Sequence, residues 1–176
     1  LTKRAASLGA SAALVVTPYY NRPPQEGLYR HYAAIAESCD LHIVLYNVPI
    51  RTGVSMHNDT VVRLRERFPH IVAIKHATGS VDGVTDLRNR SDIAIISGDD
   101  SITWPLMSMG CVGVISVLSN LLPELLKSLV SKAADGATTE VLALHRRVHD
   151  LAEGLARFGP NPMPIKTAMS LAGLIE

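Results

Sequence analysis

Five short apolar runs, separated by amphipathic stretches, constrain the fold of this chain more than any other feature. The runs cover residues 12–16, 43–46, 71–74, 93–96 and 113–117. Helix-like stretches lie between them, at about residues 26–38, 58–68, 81–88 and 102–109. Short apolar strands that alternate with helices predict parallel strands joined by right-handed crossovers. We therefore predict an α/β fold with five buried strands.

Parallel strands of this kind fit either an open doubly wound sheet or part of a (β/α)8 barrel. Polar residues gather directly after the strands, which is where barrel enzymes keep their active sites, and no glycine-rich phosphate loop follows any strand. Helical patterns also continue beyond the last strand, over residues 123–134, 138–157 and 164–174. We predict a fragment of a (β/α)8 TIM barrel that holds the last five strands. Residues 1–120 form the partial barrel, and residues 121–176 form the last barrel helix and a truncated helical extension.

The composition excludes several classes of function. The chain has 176 residues, of which 47% are hydrophobic, and its formal net charge of +1 gives no bulk attraction to nucleic acid. No uninterrupted apolar stretch of about 18 residues predicts a membrane span. Cys39 and Cys111 have no closely spaced partner, so neither a disulfide framework nor a zinc site is indicated. These features indicate a cytoplasmic protein without nucleic-acid or membrane partners.

Lys75 is the strongest candidate for a catalytic residue, because it directly follows the apolar run at residues 71–74. A lysine beside a core must either pair with a carboxylate or lose its proton, and a neutral amine is a nucleophile. Neutrality at pH 7 requires a pKa well below the ordinary value of about 10.4. An ion pair with Asp99 or Asp100 is the alternative, and it is the commoner role for a single strand-end lysine.

Two further residues strengthen the catalytic interpretation. Tyr46 ends the neighbouring strand and could supply a phenolic proton donor and acceptor. Arg51, in the loop that follows, carries a planar guanidinium that suits a carboxylate. Taken singly, Tyr46 could be a core tyrosine and Arg51 a surface arginine. Together with Lys75 they indicate Schiff-base chemistry on a keto acid.

Other polar patterns favour structural roles. His145 and His149 share a predicted helix face, but no third metal ligand is evident, so an exposed helix is the preferred interpretation. Asp99 and Asp100 resemble a carboxylate pair. Because adjacent side chains usually point apart, we expect a turn at the strand end instead.

Six segments of the chain closely resemble the dihydrodipicolinate synthase family, which belongs to the pyruvate-dependent aldolases. Their order and spacing are compatible with that family along nearly the whole chain, which makes the signal far more specific than any single motif. The segments are residues 16–23 (VTPYYNRP), 45–53 (LYNVPIRTG), 74–79 (IKHATG), 97–100 (SGDD), 113–117 (GVISV) and 161–166 (NPMPIK).

The resemblance implies a role for each of the three candidate residues. Lys75 matches the lysine that forms a Schiff base with pyruvate, and Tyr46 matches a tyrosine that relays protons. Arg51 matches the arginine that binds the carboxylate of L-aspartate 4-semialdehyde, the second substrate. The family makes 4-hydroxy-tetrahydrodipicolinate in lysine and diaminopimelate biosynthesis. Neither a metal nor an organic cofactor is expected.

The resemblance also implies roles for four residues outside this group. Gly98 and Ile115 match positions whose backbone groups line the pyruvate pocket. Tyr20 matches a tyrosine that reaches across a tight dimer interface into the neighbouring active site, so a homo-oligomer, a dimer of dimers, is expected. Tyr19 resembles the adjacent tyrosine near the cleft for feedback by lysine, which makes it a possible allosteric residue.

One segment of the family pattern has no match in this chain. Family members carry a Gly-Thr-Thr-Gly-Glu segment after an early strand, and its threonine hydroxyl links the two tyrosines of the relay. We therefore expect the chain to be a fragment that is inactive by itself, with its first strand an exposed edge. Two alternatives stay open: a sister lyase, such as N-acetylneuraminate lyase or a keto-deoxy sugar acid aldolase, and a noncatalytic truncated relative.

Overall fold

The five strands of the computed structural model, which describes residues 1–176, follow one another across the sheet in chain order. The strands are β1 (Ala12–Val16), β2 (His42–Asn47), β3 (Ile71–His76), β4 (Ala94–Ser97) and β5 (Gly113–Val114). β1 pairs with β2, and β2 with β3, in parallel. An open doubly wound sheet reverses its strand order at a switch point, whereas a barrel does not. The order therefore favours the barrel interpretation.

Nine α-helices accompany the strands, and seven of them lie where the sequence predicts helices. None is long and apolar enough to span a membrane. The two that the sequence did not predict are the first and the third in chain order. The helices are α1 (Thr2–Ser7), α2 (Gln25–Ala36), α3 (Pro49–Thr52), α4 (Asn58–Arg67), α5 (Val81–Arg90), α6 (Thr103–Ser108), α7 (Pro123–Ala134), α8 (Thr138–Ala156) and α9 (Met163–Leu171).

The chain divides into two compact units. The first contains residues 1–96 and 109–111, and the second contains residues 97–108 and 112–176. The predicted division after residue 120 stays a prediction.

The core of the first unit forms where helix faces pack on the sheet. In α2, Leu28, Tyr32 and Ala36 are buried at a spacing of four residues, which places them on one helix face. The strands contribute apolar residues, for example Ile43 and Leu45 of β2, and α4 and α5 contribute two apolar residues each. Fully buried residues of this core are Leu28, Tyr32, Ile43, Leu45, Val61, Leu64, Ile71, Val84, Leu87 and Ile93.

β1 differs from the prediction, because it is not covered on both faces. It lies at the end of the strand order, and Leu14 in its centre is 47% exposed. Tyr32 of α2 donates a hydrogen bond from its hydroxyl to the carbonyl oxygen of Val15, at 2.9 Å. The prediction of five buried strands is therefore wrong for β1, whereas the expectation that the first strand is an exposed edge is confirmed. α2 partly holds this edge strand.

Arg65 of α4 fixes the start of β3. Its Nη1 donates to the carbonyl oxygens of Pro69 and Ile71, the latter at 3.2 Å. Its Nε and Nη2 bind the two carboxylate oxygens of Asp92, each at 2.9 Å. A guanidinium that uses its fork in this way holds both partners in one orientation. The segment that leads into β3 is therefore anchored to the preceding helix.

The second unit has a helical core of its own. Leu126 and Leu129 of α7 pack with Val141 and Val148 of α8, and Leu118 completes the cluster. Spacings of three and seven residues place each pair on one face of its helix. Leu118 lies in a 3-10 helix, Leu118–Asn120. This core explains why helical periodicity continues beyond the last strand.

β5 ends earlier than predicted. The apolar run extends to residue 117, but the strand contains only Gly113 and Val114. Asp100 explains the difference, since its Oδ2 accepts the backbone N–H groups of Val117 and Leu118, at 3.0 and 2.9 Å. Amides that bind a carboxylate are not available to a sheet ladder. Asp100 thus takes the structural role that the sequence favoured.

Candidate active site

Lys75 and Tyr46 lie side by side on neighbouring strands. The parallel register pairs Tyr46 of β2 with Lys75 of β3, and the Lys75 Nζ lies 4.5 Å from the centroid of the Tyr46 ring. Lys75 is buried, with 9% of its surface exposed. The amine and the aromatic ring are therefore within contact distance in a place with little water. The structure brings together the two residues that the sequence placed at the centre of the site.

Lys75 lies inside its strand and not after it. β3 continues to His76, which pairs with Asn47, and the N–H of Ala77 donates to the Asn47 carbonyl at 3.0 Å. Because neighbouring strands continue their ladder past the lysine, its backbone is fixed on both sides. A rigid backbone of this kind suits a nucleophile that has to meet its substrate in one geometry.

His76 is the next residue of β3 and is buried. Burial lowers its pKa from the ordinary value, so the neutral imidazole is favoured. Its ring contacts the hydroxyl of Thr78, with the shorter distance 3.3 Å from Nε2. Successive side chains of a strand point to opposite faces, so His76 and Lys75 face opposite sides of the sheet. No pattern in the sequence predicts a buried histidine here.

Arg51 belongs to α3, a single turn that the sequence predicted as loop. Pro49 at its first position and Gly53 after its end, with φ 66°, are typical helix start and stop residues. The buried Thr52 donates from its hydroxyl to the carbonyl oxygens of Val48 and Val54, at 3.1 and 2.9 Å. Arg51 itself is exposed. The turn therefore holds the guanidinium at the surface of the first unit.

Asn47 and Gln25 fix the segment that follows Arg51, and neither is among the site residues predicted from the sequence. Asn47 donates from Nδ2 to the Met56 carbonyl, and its Oδ1 accepts the Met56 N–H, at 2.9 and 3.0 Å. Gln25 donates to the Ser55 carbonyl and accepts from the His57 N–H, at 2.8 and 2.9 Å. For Asn47 a signal existed, since a buried amide directly after a strand requires partners. For Gln25 there was none.

The two tyrosines after β1 are strongly exposed. Tyr19 and Tyr20 expose 64% and 94% of their surfaces. The structure places neither beside Lys75 by any contact that it defines.

Gly98 and Ile115 lie in the second unit, close to each other. The Ile115 N–H donates to the carbonyl of Ser97, the neighbour of Gly98, at 2.9 Å. Ser97 is fully buried, and its hydroxyl donates to the Asp99 carbonyl at 3.0 Å. The backbone around both predicted pocket residues is thus well ordered by hydrogen bonds.

The remaining polar clusters do not form a metal site. No group of three or more His, Cys, Asp or Glu residues is placed to hold a metal ion. The rings of His145 and His149 lie 6.2 Å apart, and His145 packs against Trp104 at 5.3 Å.

Burial raises the pKa of the Cys111 thiol to about 11, which keeps it protonated and unreactive at neutral pH.

Comparison with known proteins gives the family. The Dihydrodipicolinate synthetase family model matches residues 1–176. The chain belongs to this family. A 4-hydroxy-tetrahydrodipicolinate synthase of Sulfurihydrogenibium sp. is 45% identical over 100% of the chain and 60% of its own length. The chain thus spans about 60% of the length of the curated relatives that it matches first.

Solved structures of the family share the fold. The dihydrodipicolinate synthase of Aquifex aeolicus has a TM-score of 0.96 and 39% identity, over 99% of this chain and 60% of its own. A chloride-inhibited dihydrodipicolinate synthase from Acinetobacter baumannii, complexed with pyruvate, has a TM-score of 0.94 and 45% identity, over 99% and 60% of the two chains. These matches confirm the predicted fold class, an α/β fragment of the family's barrel.

Proposed function

We propose that this chain is part of an enzyme that condenses pyruvate with L-aspartate 4-semialdehyde to give 4-hydroxy-tetrahydrodipicolinate. The observation that carries the proposal is the buried Lys75, whose Nζ lies 4.5 Å from the centroid of the Tyr46 ring on the neighbouring strand. The relatives named for this reaction are about 45% identical to the chain. The whole enzyme would serve lysine and diaminopimelate biosynthesis.

In the proposed reaction the neutral Lys75 amine attacks the ketone carbon of pyruvate, and loss of water gives an imine. The protonated imine nitrogen accepts electrons, so that the methyl group of pyruvate loses a proton and becomes an enamine. The enamine carbon then forms the new carbon–carbon bond with the aldehyde of the second substrate. Attack of that substrate's amine on the imine carbon closes the ring and releases Lys75.

Tyr46 is the proposed proton carrier for these steps. Its ring contacts the lysine side chain, so that the phenol lies on the strand that neighbours the reacting amine. A phenol can both donate and accept a proton, which imine formation and imine breakdown require in turn. We further propose that Tyr20 continues the relay across a dimer interface, since its 94% exposure leaves it accessible to a second copy.

Substrate binding is assigned to three positions. Arg51 is exposed on a short turn and would bind the carboxylate of the aldehyde substrate through its planar fork. The backbones at Gly98 and Ile115 would line the pyruvate pocket, and the pyruvate complex of the Acinetobacter relative supports pyruvate as first substrate. Tyr19 is proposed to lie at a regulatory cleft for lysine.

Borohydride reduction tests the Schiff base directly. We expect the full-length protein that carries this sequence to gain a pyruvate-derived mass at Lys75 when pyruvate and borohydride are added together, located by peptide mass spectrometry. Lys75→Arg keeps the positive charge but cannot form the imine, so it should gain no mass. Lys166→Arg, a lysine exposed on α9, should label like the wild type.

Absence of labelling in the wild type, under conditions that trap a control lyase, would refute catalysis and leave a noncatalytic relative. Labelling followed by condensation with N-acetylmannosamine, but not with L-aspartate 4-semialdehyde, would instead identify a sister lyase. The separate 176-residue chain should show no condensation, because the family segment with two threonines is not in it.

A further inference from the structure

Arg22 adopts a backbone conformation that is unusual for an arginine. It lies in the loop between β1 and α2 with φ 44°, and it is the only residue other than glycine with a positive φ in the chain. L-residues other than glycine rarely adopt a positive φ, and the residues that do so concentrate at binding and catalytic sites. An arginine in this conformation therefore requires a physical explanation.

The Arg22 guanidinium packs against Gly53, two residues after Arg51. A Cβ placed on Gly53 would lie 2.7 Å from both Cζ and Nε of Arg22, so the glycine leaves the space that the guanidinium occupies. Consecutive Cα atoms are about 3.8 Å apart, so the Arg51 Cα is within about 7.6 Å of the Gly53 Cα. The Arg22 guanidinium therefore lies against the turn that carries Arg51.

The two loops that meet here contain no acidic residue. Residues 17–24 and 48–57 include Arg22 and Arg51, but neither segment has an aspartate or a glutamate. The Arg22 side chain forms no hydrogen bond or ion pair within the chain. Five N–H donors and one positive charge are thus left for a ligand.

The nearest carboxylate along the chain is already used. Glu26 forms ion pairs with Arg30 and Arg63, each at 3.1 Å. Hydrogen bonds from both arginines lower the pKa of the Glu26 carboxyl below its ordinary value, and the bond from Arg63 has the larger effect. Glu26 is therefore not available to pair with Arg22, whose positive charge attracts anions.

We propose that Arg22 is a second carboxylate-binding residue, which acts with Arg51 to capture the anionic aldehyde substrate. The inference rests on the proposed function, because it takes the aldehyde of that reaction as the ligand. Arg51 lies on the turn after the Tyr46 strand, and Arg22 approaches that turn from the neighbouring loop. Gly53 is the residue that permits this approach.

Arg22→Gly is the principal test. Glycine adopts φ 44° without strain, so this variant keeps the loop backbone and removes only the side chain. In the full-length protein we expect KM for L-aspartate 4-semialdehyde to rise roughly five- to tenfold, as the loss of one exposed carboxylate contact predicts. KM for pyruvate and kcat should stay unchanged. Salt raises the aldehyde KM of the wild type by screening the arginine charge, and this salt effect should be smaller in Arg22→Gly.

Two further variants separate charge from structure. Arg22→Lys keeps the charge and should give an aldehyde KM between those of the wild type and Arg22→Gly. Lys127→Gln, which removes one exposed charge from α7, is the matched control and should leave all constants unchanged.

Gly53→Ala tests the packing contact. Its methyl group would occupy the place of the guanidinium, so it should raise the aldehyde KM in the wild type and have a smaller effect in the Arg22→Gly background. The inference is overturned if Arg22→Gly leaves the aldehyde KM unchanged, or if it alters kcat and both KM values alike. A wild type that forms the pyruvate imine but does not condense the aldehyde refutes the proposed function instead.

Discussion

β3 lies between two neighbouring strands and β1 lies at the edge of the sheet, and the burial of their side chains differs accordingly. Five of the six residues of β3 are buried, including Lys75 and His76, whereas Leu14 of β1 is 47% exposed. The inner strand thus carries the proposed nucleophile in a fixed and dry place. The edge strand instead leads to exposed residues, Tyr19 and Tyr20, that are free to meet other molecules.

The largest expected effect concerns the inner site. Tyr46→Phe keeps the ring beside Lys75 but removes the phenolic proton, and we expect kcat to fall at least about a hundredfold. Tyr29→Phe, which removes a hydroxyl from α2, is the control and should keep kcat within about twofold of the wild type. Steady-state condensation kinetics measure both. A Tyr46→Phe variant with normal kcat would show that the contact with Lys75 carries no proton transfer.

A second prediction tests the difference in burial itself. Ile74→Ala in β3 removes a fully buried side chain and should lower the free energy of unfolding by about 3 kcal/mol. Leu14→Ala in β1 should cost less than about 1 kcal/mol, because half of that side chain is already in water. Urea denaturation of the two variants gives the comparison. Equal losses would mean that β1 is covered in the assembled protein.

A third prediction concerns what holds the edge strand. Tyr32→Phe leaves the Val15 carbonyl without its 2.9 Å donor and should cost about 1 kcal/mol. The loss should be local, so hydrogen exchange ought to accelerate in β1 and remain slow in β3. Uniform acceleration across both strands would instead show that the sheet opens as one unit.

The smallest effect follows from the buried His76. Its folded-state pKa is lowered by burial, so the unfolded chain binds more protons as the pH falls below about 6.5. The contribution of His76 to the free energy of unfolding should be fully present above that pH and should decline below it. The slope from this group is at most about 1.4 kcal/mol per pH unit. His76→Gln should flatten the decline between pH 7 and 5 in urea titrations. His42→Gln, at an exposed position of β2, should leave it unchanged.

Much of the fold followed from the sequence because apolar runs and helical periodicity are local signals. α7 was predicted with its observed bounds, and Lys75 and Tyr46 were paired correctly from their positions at the ends of neighbouring strands. The family motifs added specificity, since several of them occur in order.

The errors share a physical cause, which is that tertiary contacts do not appear in local patterns. The apolar run of β1 resembles that of β3, so the run alone predicted a buried strand, and only the unmatched family segment predicted the exposed edge that the sheet order shows. The end of β5 depends on Asp100, a residue distant in the chain. The Arg22 guanidinium occupies space that Gly53 leaves open, and no local signal indicates that contact.

Gln25, the first residue of α2, joins the start of that helix to the segment after Arg51 and to α4, through bonds to Ser55, His57 and Thr60 at 2.8 to 2.9 Å. Two of these bonds go to backbone groups, so a loop grafted from another lyase keeps them only if its backbone follows the same path. A redesign of aldehyde preference in the segment after Arg51 therefore has to preserve the backbone at Ser55 and His57.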